Sequence, residues 1–364
     1  MSEKMAITRI ETASVSIPYR SPWRNRGTEQ RGYPTTHLET TVLKVHTDAG
    51  IVGLGEARGG DVRKRVAEQF EPFLKGRDPF QLERVLTDME QMFGRSSTMA
   101  GIDFALHDIV GKALGVPVYQ LLGGKVRDRM PLVWTLAYRS IEEQVEETAQ
   151  RVGEGFTHAI KMKVGVEGDL AHVLAVAQAA EGVPLRPDNN QGHSKETALG
   201  QFRELQKKGV RFELLEDPSP PDWDEYQELA DVLDVGISVH AGWSSLRDLG
   251  GVIQANKPGI WCVNITLSQW GIRRTAQIAG ALECAGIGWT MGTSHESGIK
   301  TSAALHLGVA VRNRIYPADV LGPMLFVADV LAEPLEMGGG YGTPPDGPGL
   351  GIALDEEALE RYRI

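Results

Sequence analysis

Between residues 131 and 320 the chain repeats one pattern: a short apolar run, a polar or glycine-containing turn, and a stretch with helical periodicity. This alternation is typical of parallel strands joined by helices. Since every run except the last is followed by a helix-like segment, the pattern predicts an α/β fold, a (β/α)7β TIM-like barrel. The predicted strands are 131–136, 158–163, 184–189, 211–216, 235–240, 259–266, 287–292 and 314–320.

The first third of the chain has a different pattern. Alternation of apolar and polar residues predicts strands at 7–17 and 40–52, and helical periodicity predicts helices at 64–93 and 100–114. Between the two strands lies a polar segment, residues 18–33, with four arginines and Trp23. A long loop of this kind often covers an active site as a lid, although a merely mobile loop is the alternative.

These patterns predict three parts of the chain. Residues 1–129 form an α+β capping domain, residues 130–325 form the barrel, and residues 326–364 return to the capping domain and complete it. The Gly- and Pro-rich stretch 338–351 is expected to be loop within that last part.

Composition narrows the class of protein. The 364 residues carry 38 Lys and Arg against 48 Asp and Glu, a formal net charge of −10. We expect no nucleic-acid partner and no membrane partner, because both favour basic surfaces. The two cysteines, Cys262 and Cys284, are too few for a disulfide framework or a thiolate metal cluster. With no apolar run of about 18 residues and no signal-peptide pattern, we expect a cytoplasmic enzyme of small molecules.

Polar side chains follow the predicted barrel strands, where the active site of such a barrel lies. Lys161 and Lys163 stand two apart and therefore share one strand face. Their mutual repulsion predicts a lowered pKa for at least one of them, which would make it a usable general base. The alternative is a solvated lysine pair at a strand end. The polar groups at the strand ends are Lys161, Lys163, Asp188, Asn190, Glu216, Asp217, His240, Asn264 and Thr266.

Two carboxylates end neighbouring strands in this prediction. Asp188 and Glu216 would lie about 4.8 Å apart across the sheet, near enough to bind one divalent cation. The alternative is that they only balance nearby Lys and Arg charges. A metal ion beside a general base suits removal of the proton next to a carboxylate, because the cation offsets the charge of the resulting enediolate.

Six segments together resemble the enolase superfamily, within its mandelate racemase/muconate lactonizing enzyme group. The resemblance covers nearly the whole chain. It implies a capping domain on a barrel, a small carboxylate substrate, a divalent metal and a homo-oligomer. It also implies that Lys163 is the base, Lys161 its electrostatic and carboxylate-binding partner, and Asp188 and Glu216 metal ligands. The segments are residues 100–124, Lys161-Met-Lys163, Asp188-Asn-Asn190, Glu216-Asp-Pro218, the run from Ser294-His-Glu296-Ser-Gly298 to Ala304, and Pro345-Asp-Gly-Pro-Gly-Leu-Gly351.

The fifth strand departs from the family pattern. His240 stands where the group has an aspartate as third metal ligand. Mg²⁺ prefers oxygen ligands, whereas imidazole suits Mn²⁺, Fe²⁺ or Zn²⁺. We therefore expect Mg²⁺ from the family, or Mn²⁺ or another softer ion because of His240. The alternative is that His240 only donates a hydrogen bond to Glu216 or to a substrate.

The sixth strand departs as well, because Thr266 stands where the group usually has a second lysine. A threonine hydroxyl does not accept a proton from carbon at neutral pH, so racemisation by two symmetric bases is disfavoured. We expect single-base chemistry, above all dehydration of a hydroxy acid or hydroxy amino acid. A racemase, epimerase or cycloisomerase is the alternative. His295, in a loop over the mouth, is a candidate second acid or base.

From the candidate binding residues we expect an anionic substrate with an apolar or cationic portion, since Arg binds carboxylates and Trp contacts cations. Because His240 and Thr266 replace chemistry-bearing residues, a non-catalytic ligand-binding homologue stays open. So does a lyase that forms a Schiff base at Lys163. The candidate substrate-binding residues are Asn190, Trp23, Arg24, Asn264, Trp270 and Glu296.

Overall fold

A computed structural model describes residues 5–166 and 168–364. Its first part is a three-stranded antiparallel sheet covered by helices. The strands are β1 (Ile7–Trp23), β2 (Thr35–Thr47) and β3 (Val52–Ala57). The helices are α1 (Arg26–Arg31), α2 (Val62–Arg65), a π-helical turn (Val66–Phe70), α3 (Glu71–Leu74), α4 (Leu82–Phe93), α5 (Ser97–Leu114) and α6 (Val118–Leu121).

The segment 18–33 is not a loop, as the sequence pattern suggested. β1 continues to Trp23, which pairs with Thr35 of β2. The short helix α1 follows at once because Asn25 and Thr28 form a capping box at its N-terminus. The polar composition of the segment concealed a strand end and a capped helix.

The helix expected at 64–93 is also interrupted, since it divides after Leu74 and resumes at Leu82. Gly76 lies between the two parts with φ of +80°, a conformation that ends helices. The helix expected at 100–114 is confirmed as α5. It begins slightly earlier, where the Ser96 side chain caps it, and it ends at the left-handed Gly115.

The barrel consists of parallel strands in sequence order, each followed by a helix. A short strand β4 (Met130–Pro131) precedes it. The strands are β5 (Trp134–Leu136), β6 (Ile160–Lys163), β7 (Leu185–Asp188), β8 (Leu215–Glu216), β9 (Ile237–Val239), β10 (Ile260–Thr266) and β11 (Gly288–Gly292). The helices are α7 (Ile141–Gly153), α8 (Asp169–Ala179), α9 (Lys195–Lys207), α10 (Trp223–Leu233), α11 (Leu246–Ala255), α12 (Leu267–Cys284) and α13 (Gly298–Ala310).

The eighth strand closes the barrel through single bridges rather than a continuous ladder. Ile315 pairs in parallel with Trp289 of β11, and Ala318 pairs in parallel with Leu132, just before β5. The segment therefore joins the last strand of the sheet to the first. The (β/α)7β barrel predicted from the sequence is confirmed.

The C-terminal part reaches back to both preceding parts. After a 3-10 helix (Gly322–Leu325), the strands β12 (Met337–Gly338) and β13 (Tyr341–Gly342) join β4 in a small antiparallel sheet. The chain then ends in α14 (Glu356–Arg361), and Arg363 pairs with Val15 at the free edge of β1. The tail thus pairs with the first strand of the sheet formed by β1, β2 and β3.

Buried carboxylates of the capping domain hold it on the barrel. Glu56 accepts hydrogen bonds from the backbone N–H groups of Ser297 (2.9 Å) and Lys300 (3.1 Å) at the start of α13. Asp103 accepts one from the backbone N–H of Arg273 (3.1 Å), where α12 restarts after a kink at Gly271. Because helix N-termini have unpaired N–H groups and a positive field, these contacts fix the cap over the barrel mouth.

The barrel interior has polar layers stacked along its axis. In the lower layer the buried Arg186 donates to both carboxylate oxygens of Glu213, at 2.7 and 2.8 Å. Lys161 is the register partner of Arg186, and Lys163 is the partner of Asp188 one layer higher. Of the helices in the described part of the chain, none is both long and apolar enough to cross a membrane.

Candidate active site

Lys161 lies among three carboxylates inside the barrel mouth. Its ammonium nitrogen is 2.8 Å from Glu216, 3.0 Å from Asp319 and 3.3 Å from Asp188. Its side chain is 2% exposed. The three partners end the fourth, eighth and third barrel strands, so this cation ties separate strands together.

The lowered pKa that lysine–lysine repulsion predicted is not found at Lys161. Burial does oppose its charge, but the carboxylates of Asp319, Glu216 and Asp188 outweigh burial and raise its pKa well above the ordinary value. For Lys161 the repulsion argument fails, because three anions surround its ammonium group as well as Lys163. Lys161 is therefore a fixed positive charge near neutral pH.

Lys163 stands above Lys161, at the floor of a cavity. Its ammonium nitrogen is 2.5 Å from an Asp188 carboxylate oxygen and 3.4 Å from the amide oxygen of Asn190. With 14% of its side chain exposed, it is the lysine of the pair that a ligand can reach. The expectation that both side chains point into the mouth is confirmed.

Asp188 and Glu216 are register partners on adjacent strands and are fully buried. Although burial opposes ionisation, Lys163 and Lys161 hold the pKa of Asp188 well below its ordinary value. Burial and the nearby Asp188 charge raise the pKa of Glu216. Asn264 donates a hydrogen bond to Glu216 (2.9 Å), and Gly292 leaves space for it, since a Cβ there would lie 2.3 Å from the Asn264 amide oxygen.

His240 and Thr266 contact each other where the fifth and sixth strands end. His240 Nε2 and the Thr266 hydroxyl form a hydrogen bond of 3.1 Å. His240 Nδ1 faces Glu216 at 3.8 Å, too far for a hydrogen bond. The backbone N–H groups of His240 and Ala241 both donate to the buried carboxylate of Asp217, which positions this strand end.

The donors at these strand ends suit a divalent ion. Asp188, Glu216 and His240 come from three consecutive strands, and Glu216 has its Oε2 atom 2.8 Å from the Lys161 ammonium nitrogen. With all carboxylates ionised, the cluster of three carboxylates and two ammonium groups has an excess negative charge, which a cation would offset. Across residues 5–166 and 168–364, no three His, Cys, Asp or Glu side chains are already closed around one point. Lys161 and Lys163 contact the carboxylates there instead.

A cavity of about 680 Å³ opens outward from Lys163. Its wall contains cationic and anionic side chains, so it suits a ligand with more than one polar group. Arg24, among the predicted substrate-binding residues, lines it. The other lining residues are Ser21, Pro22, Glu29, Pro34, Tyr138, Arg139, Ser140, Glu143, Gln144, Val166, Asp169 and His172.

The segment after β1, from Arg24 through α1, is held over this cavity by hydrogen bonds. The backbone N–H of Tyr138 donates to the Arg24 carbonyl (2.9 Å), and Arg26 donates to the Asn190 carbonyl (2.7 Å). The Tyr138 hydroxyl in turn donates to the carbonyl of Val164 (2.8 Å). The strand end and α1 thus contact the ends of the first and third barrel strands, in the position of a closed lid.

His295 lies beneath the lid strand rather than in an exposed loop. Its Nδ1 forms a hydrogen bond with the Tyr19 hydroxyl, and its ring meets Trp23 edge-on with centroids 4.4 Å apart. Burial and the nearby Arg58 charge lower its pKa to about 3. This pKa disfavours the role of acid, which is one of the two roles, acid or base, predicted for His295. Trp23 packs against it and does not line the cavity.

The other four predicted binding residues also lie outside the cavity wall. Asn190 contacts Lys163 and Asn264 contacts Glu216. Trp270 stacks on Trp243, with ring centroids 5.2 Å apart, and Arg95 of the capping domain covers its other side. Glu296 is 1% exposed and pairs with Lys300 at 3.0 Å. Burial raises the pKa of Glu296. The surroundings of Trp270 and Glu296 are those of packing residues between cap and barrel.

Sequence reasoning missed Asp319, Tyr138 and Lys300. Asp319 ends the eighth predicted strand and could have been found by the rule used for the other strands. Tyr138 follows the first barrel strand, but its contacts with Arg24 depend on the lid. Lys300 gives no sequence signal, since only the tertiary fold places it beside Ser294 and Glu296.

Comparison with known proteins gives two family matches that together cover most of the chain. Residues 142–358 match the family model described as enolase C-terminal domain-like. Residues 24–123 match that of the mandelate racemase/muconate lactonizing enzyme N-terminal domain. The first match alone covers more than half of the sequence.

Individual relatives cover nearly the full length. A chloromuconate cycloisomerase from Cupriavidus pinatubonensis is 29% identical over 344 residues, 90% of this chain and 91% of the relative. The crystal structure of a muconate lactonizing enzyme from Pseudomonas fluorescens complexed with muconolactone has a TM-score of 0.90 and 28% identity, covering 100% of both chains. An N-succinyl Arg/Lys racemase from Bacillus cereus has a TM-score of 0.88 and 26% identity, covering 99% of this chain and 98% of that one.

Proposed function

The chain belongs to the mandelate racemase/muconate lactonizing enzyme group of the enolase superfamily, and on that premise we propose that Lys163 moves a proton at the carbon beside a carboxylate. One observation carries the proposal: Lys163 alone of the two paired lysines borders the 680 Å³ cavity. In its neutral form its amine takes the α-proton, and its ammonium form returns a proton to that carbon.

The neighbouring residues have supporting roles in this reaction. Lys161 is held charged and supplies a fixed positive field below the carbon that becomes negative. Asp188 and Asn190 orient the Lys163 nitrogen through contacts of 2.5 and 3.4 Å. The contacts of Arg24 and Arg26 hold the strand end and α1 beside the cavity, which opens to solvent on its outer side.

Asp188, Glu216 and His240 would hold a divalent ion, Mg²⁺ by family or Mn²⁺ because of the imidazole. When bound, such an ion supplies positive charge that stabilises the enediolate form of the substrate. It would compete with Lys161 and Lys163 for the same carboxylate oxygens. Ion binding therefore requires these ammonium groups to withdraw from Asp188 and Glu216.

The reaction we propose makes or breaks a carbon–oxygen bond at the β-carbon. Thr266 offers no second base opposite Lys163, and such a reaction needs one proton at the α-carbon. Closing a lactone from an unsaturated acid adds a carboxylate oxygen at the β-carbon and a proton at the α-carbon. The cycloisomerase relatives support this form, and loss of water from a β-hydroxy acid is the same chemistry with a different oxygen.

A racemase is the second candidate, supported by the likeness to the N-succinyl Arg/Lys racemase. The cavity wall contains both Arg24 and Arg139 and both Glu29 and Glu143, which suits a substrate with an anionic and a cationic end. Thr266 in place of a second base weighs against it.

Deuterium incorporation at the α-carbon tests the proposal. The protein, with Mg²⁺ or Mn²⁺, is incubated in D₂O with muconolactone, both enantiomers of N-succinyl-arginine, aldonic acids and 3-hydroxyprolines. We expect exchange with at least one acid, and a loss of about 100-fold or more in Lys163→Met. Lys195→Met, which removes a surface lysine paired with Glu228, is the control with no effect.

Other outcomes separate the alternatives. A lack of exchange with every acid would favour a ligand-binding homologue. Reduction with borohydride in the presence of a carbonyl substrate would label Lys163 only if it forms a Schiff base. Exchange that persists in Lys163→Met would contradict the assignment of the base.

A further inference from the structure

A chain of two hydroxyl groups and a buried lysine lies beyond the sixth and seventh strand ends. The hydroxyls of Ser268 and Ser294 are 2.9 Å apart. Lys300 donates a hydrogen bond to the Ser294 hydroxyl at 3.1 Å. Thr266 and Gly292 are register partners, and each serine follows its partner by two residues, so the fold brings the pair together.

Lys300 is buried beside a carboxylate at this place. Its side chain is 5% exposed and its nitrogen is 3.0 Å from Glu296, which is 1% exposed. A buried charge pair of this kind is rarely a source of stability, because both groups lose their water. The reaction described above assigns no role to Lys300. Its ammonium group donates a hydrogen bond to the Ser294 hydroxyl, and a chain of hydroxyl groups can conduct a proton.

The hydroxyl chain lies across the mouth from Lys163. Lys163 ends β6, the second barrel strand, and Ser268 follows β10, the sixth. In a closed barrel of eight strands these two positions are opposite each other. Ser268 does not line the 680 Å³ cavity, so a substrate that met both groups would extend from Lys163 in that cavity across the mouth to Ser268.

We propose that Lys300, through Ser294 and Ser268, donates the proton to the oxygen that leaves the β-carbon. This inference rests on the proposed function. It specifies the class of substrate whose C–O bond at the β-carbon breaks. The Lys163 amine first takes the α-proton and leaves a carbanion. The carbanion electron pair then forms the C=C bond as the C–O bond breaks, and the electron pair of that bond leaves with oxygen. Ser268 donates a proton to that oxygen, Ser294 donates one to Ser268, and Lys300 donates one to Ser294. Water leaves, Lys163 is an ammonium, and Lys300 is an amine that solvent reprotonates.

The leaving group decides whether the reaction needs a proton donor such as this relay. Hydroxide is a poor leaving group and needs a proton as the bond breaks, whereas a carboxylate leaves a lactone without one. A proton donor opposite the base is therefore needed for dehydration and not for lactone opening. The substrate class that the relay fits is a β-hydroxy acid that loses water with the α-proton and the hydroxyl on opposite faces.

Two rates measured on one substrate test the relay. With aldonic acids and 3-hydroxyprolines in D₂O, α-deuterium incorporation reports on Lys163, and formation of the dehydrated product reports on the leaving group. In Lys300→Met we expect dehydration to fall about 100-fold or more while α-exchange stays within about threefold of the wild type. Ser294→Ala, which keeps the Lys300–Glu296 pair, should do the same, and muconolactone opening should be unchanged in both.

Lys125→Met is the matched control, since it removes a lysine paired with Asp346 outside the mouth, and both rates should be unchanged. A parallel fall of exchange and dehydration in Ser294→Ala, or no fall in dehydration, overturns the relay alone. If the wild type neither exchanges nor dehydrates any of these acids, the proposed function falls and the relay falls with it.

Discussion

The ammonium group of Lys161 lies 3.0 Å from the carboxylate of Asp319, a contact between residues 158 positions apart in the chain. It joins the second barrel strand to the eighth, directly across the point where the barrel closes through single bridges. Lys161 is thus a structural cation as well as a neighbour of the base.

We expect Lys161→Met to destabilise the protein by about 3–5 kcal/mol, because Glu216 and Asp319 would lose their ammonium partner and only Asp188 would keep one, Lys163. Asp319→Asn, which keeps the shape and leaves Lys161 two partners, should cost only about 1–2 kcal/mol. Urea unfolding followed by circular dichroism measures both. Equal losses in the two variants would show that Lys161 is not the centre of the cluster.

His240 should make the protein bind Mn²⁺ in preference to Mg²⁺. Calorimetric titration is expected to show Mn²⁺ binding about 10-fold or more tightly than Mg²⁺ in the wild type. His240→Asp should reduce or reverse that preference, since it offers Mg²⁺ a third oxygen ligand. His37→Asp, at an exposed position of β2, is the control. A preference that survives His240→Asp would exclude the imidazole as a ligand.

Asp329 should make stability depend on pH near 6. Both its oxygens accept from the Gly298 N–H at 3.0 Å, but burial raises its pKa from 3.8 to about 6. A carboxyl whose pKa is higher when folded binds more protons in the folded state. Its effect on stability therefore becomes unfavourable as pH rises from about 4 to 6, by a total of about 3 kcal/mol.

Asp329→Asn removes this charge and keeps an acceptor for Gly298. The difference in unfolding free energy between variant and wild type should shift in favour of the variant as pH rises from 4 to 7, and level off above that. Urea unfolding at several pH values measures it. A difference independent of pH would mean that Asp329 titrates at its ordinary value when folded.

Gly292→Ala should disturb the site without touching a charged residue. The new Cβ would lie 2.3 Å from the amide oxygen of Asn264. The amide nitrogen of that side chain donates a hydrogen bond to Glu216. We expect a loss of stability of about 1–3 kcal/mol from displacement of that side chain. Gly280→Ala in α12, where a Cβ meets nothing within 4 Å, should instead stabilise by up to about 1 kcal/mol. Thermal unfolding compares the two.

The sequence predicted the barrel because its signal is local: each strand and the helix after it are adjacent in the chain. The same regularity placed Lys163, Asp188 and Glu216 at one mouth without knowledge of long-range contacts. It failed in the capping domain, where the polar segment 18–33 hid the end of β1 and the short helix α1.

Electrostatic predictions failed where distant residues decide them. The pKa of Lys161 depends on Glu216 and Asp319, which lie 55 and 158 positions away. His295 was expected in a loop over the mouth, and the structure encloses it there between Tyr19 and Trp23 of the first strand. Residue spacing in the sequence indicates neither the carboxylates around Lys161 nor the aromatic residues around His295.

The pairing of Arg363 with Val15 has a consequence for synthesis of the chain. The edge of the first strand is completed by residue 363, and the barrel is closed by residues 315–318. An emerging chain therefore exposes an unpaired strand edge and an open sheet until these residues have been synthesised. Deletion of residues 362–364 should leave that edge free to pair with other chains, so that losses in yield precede losses in catalysis.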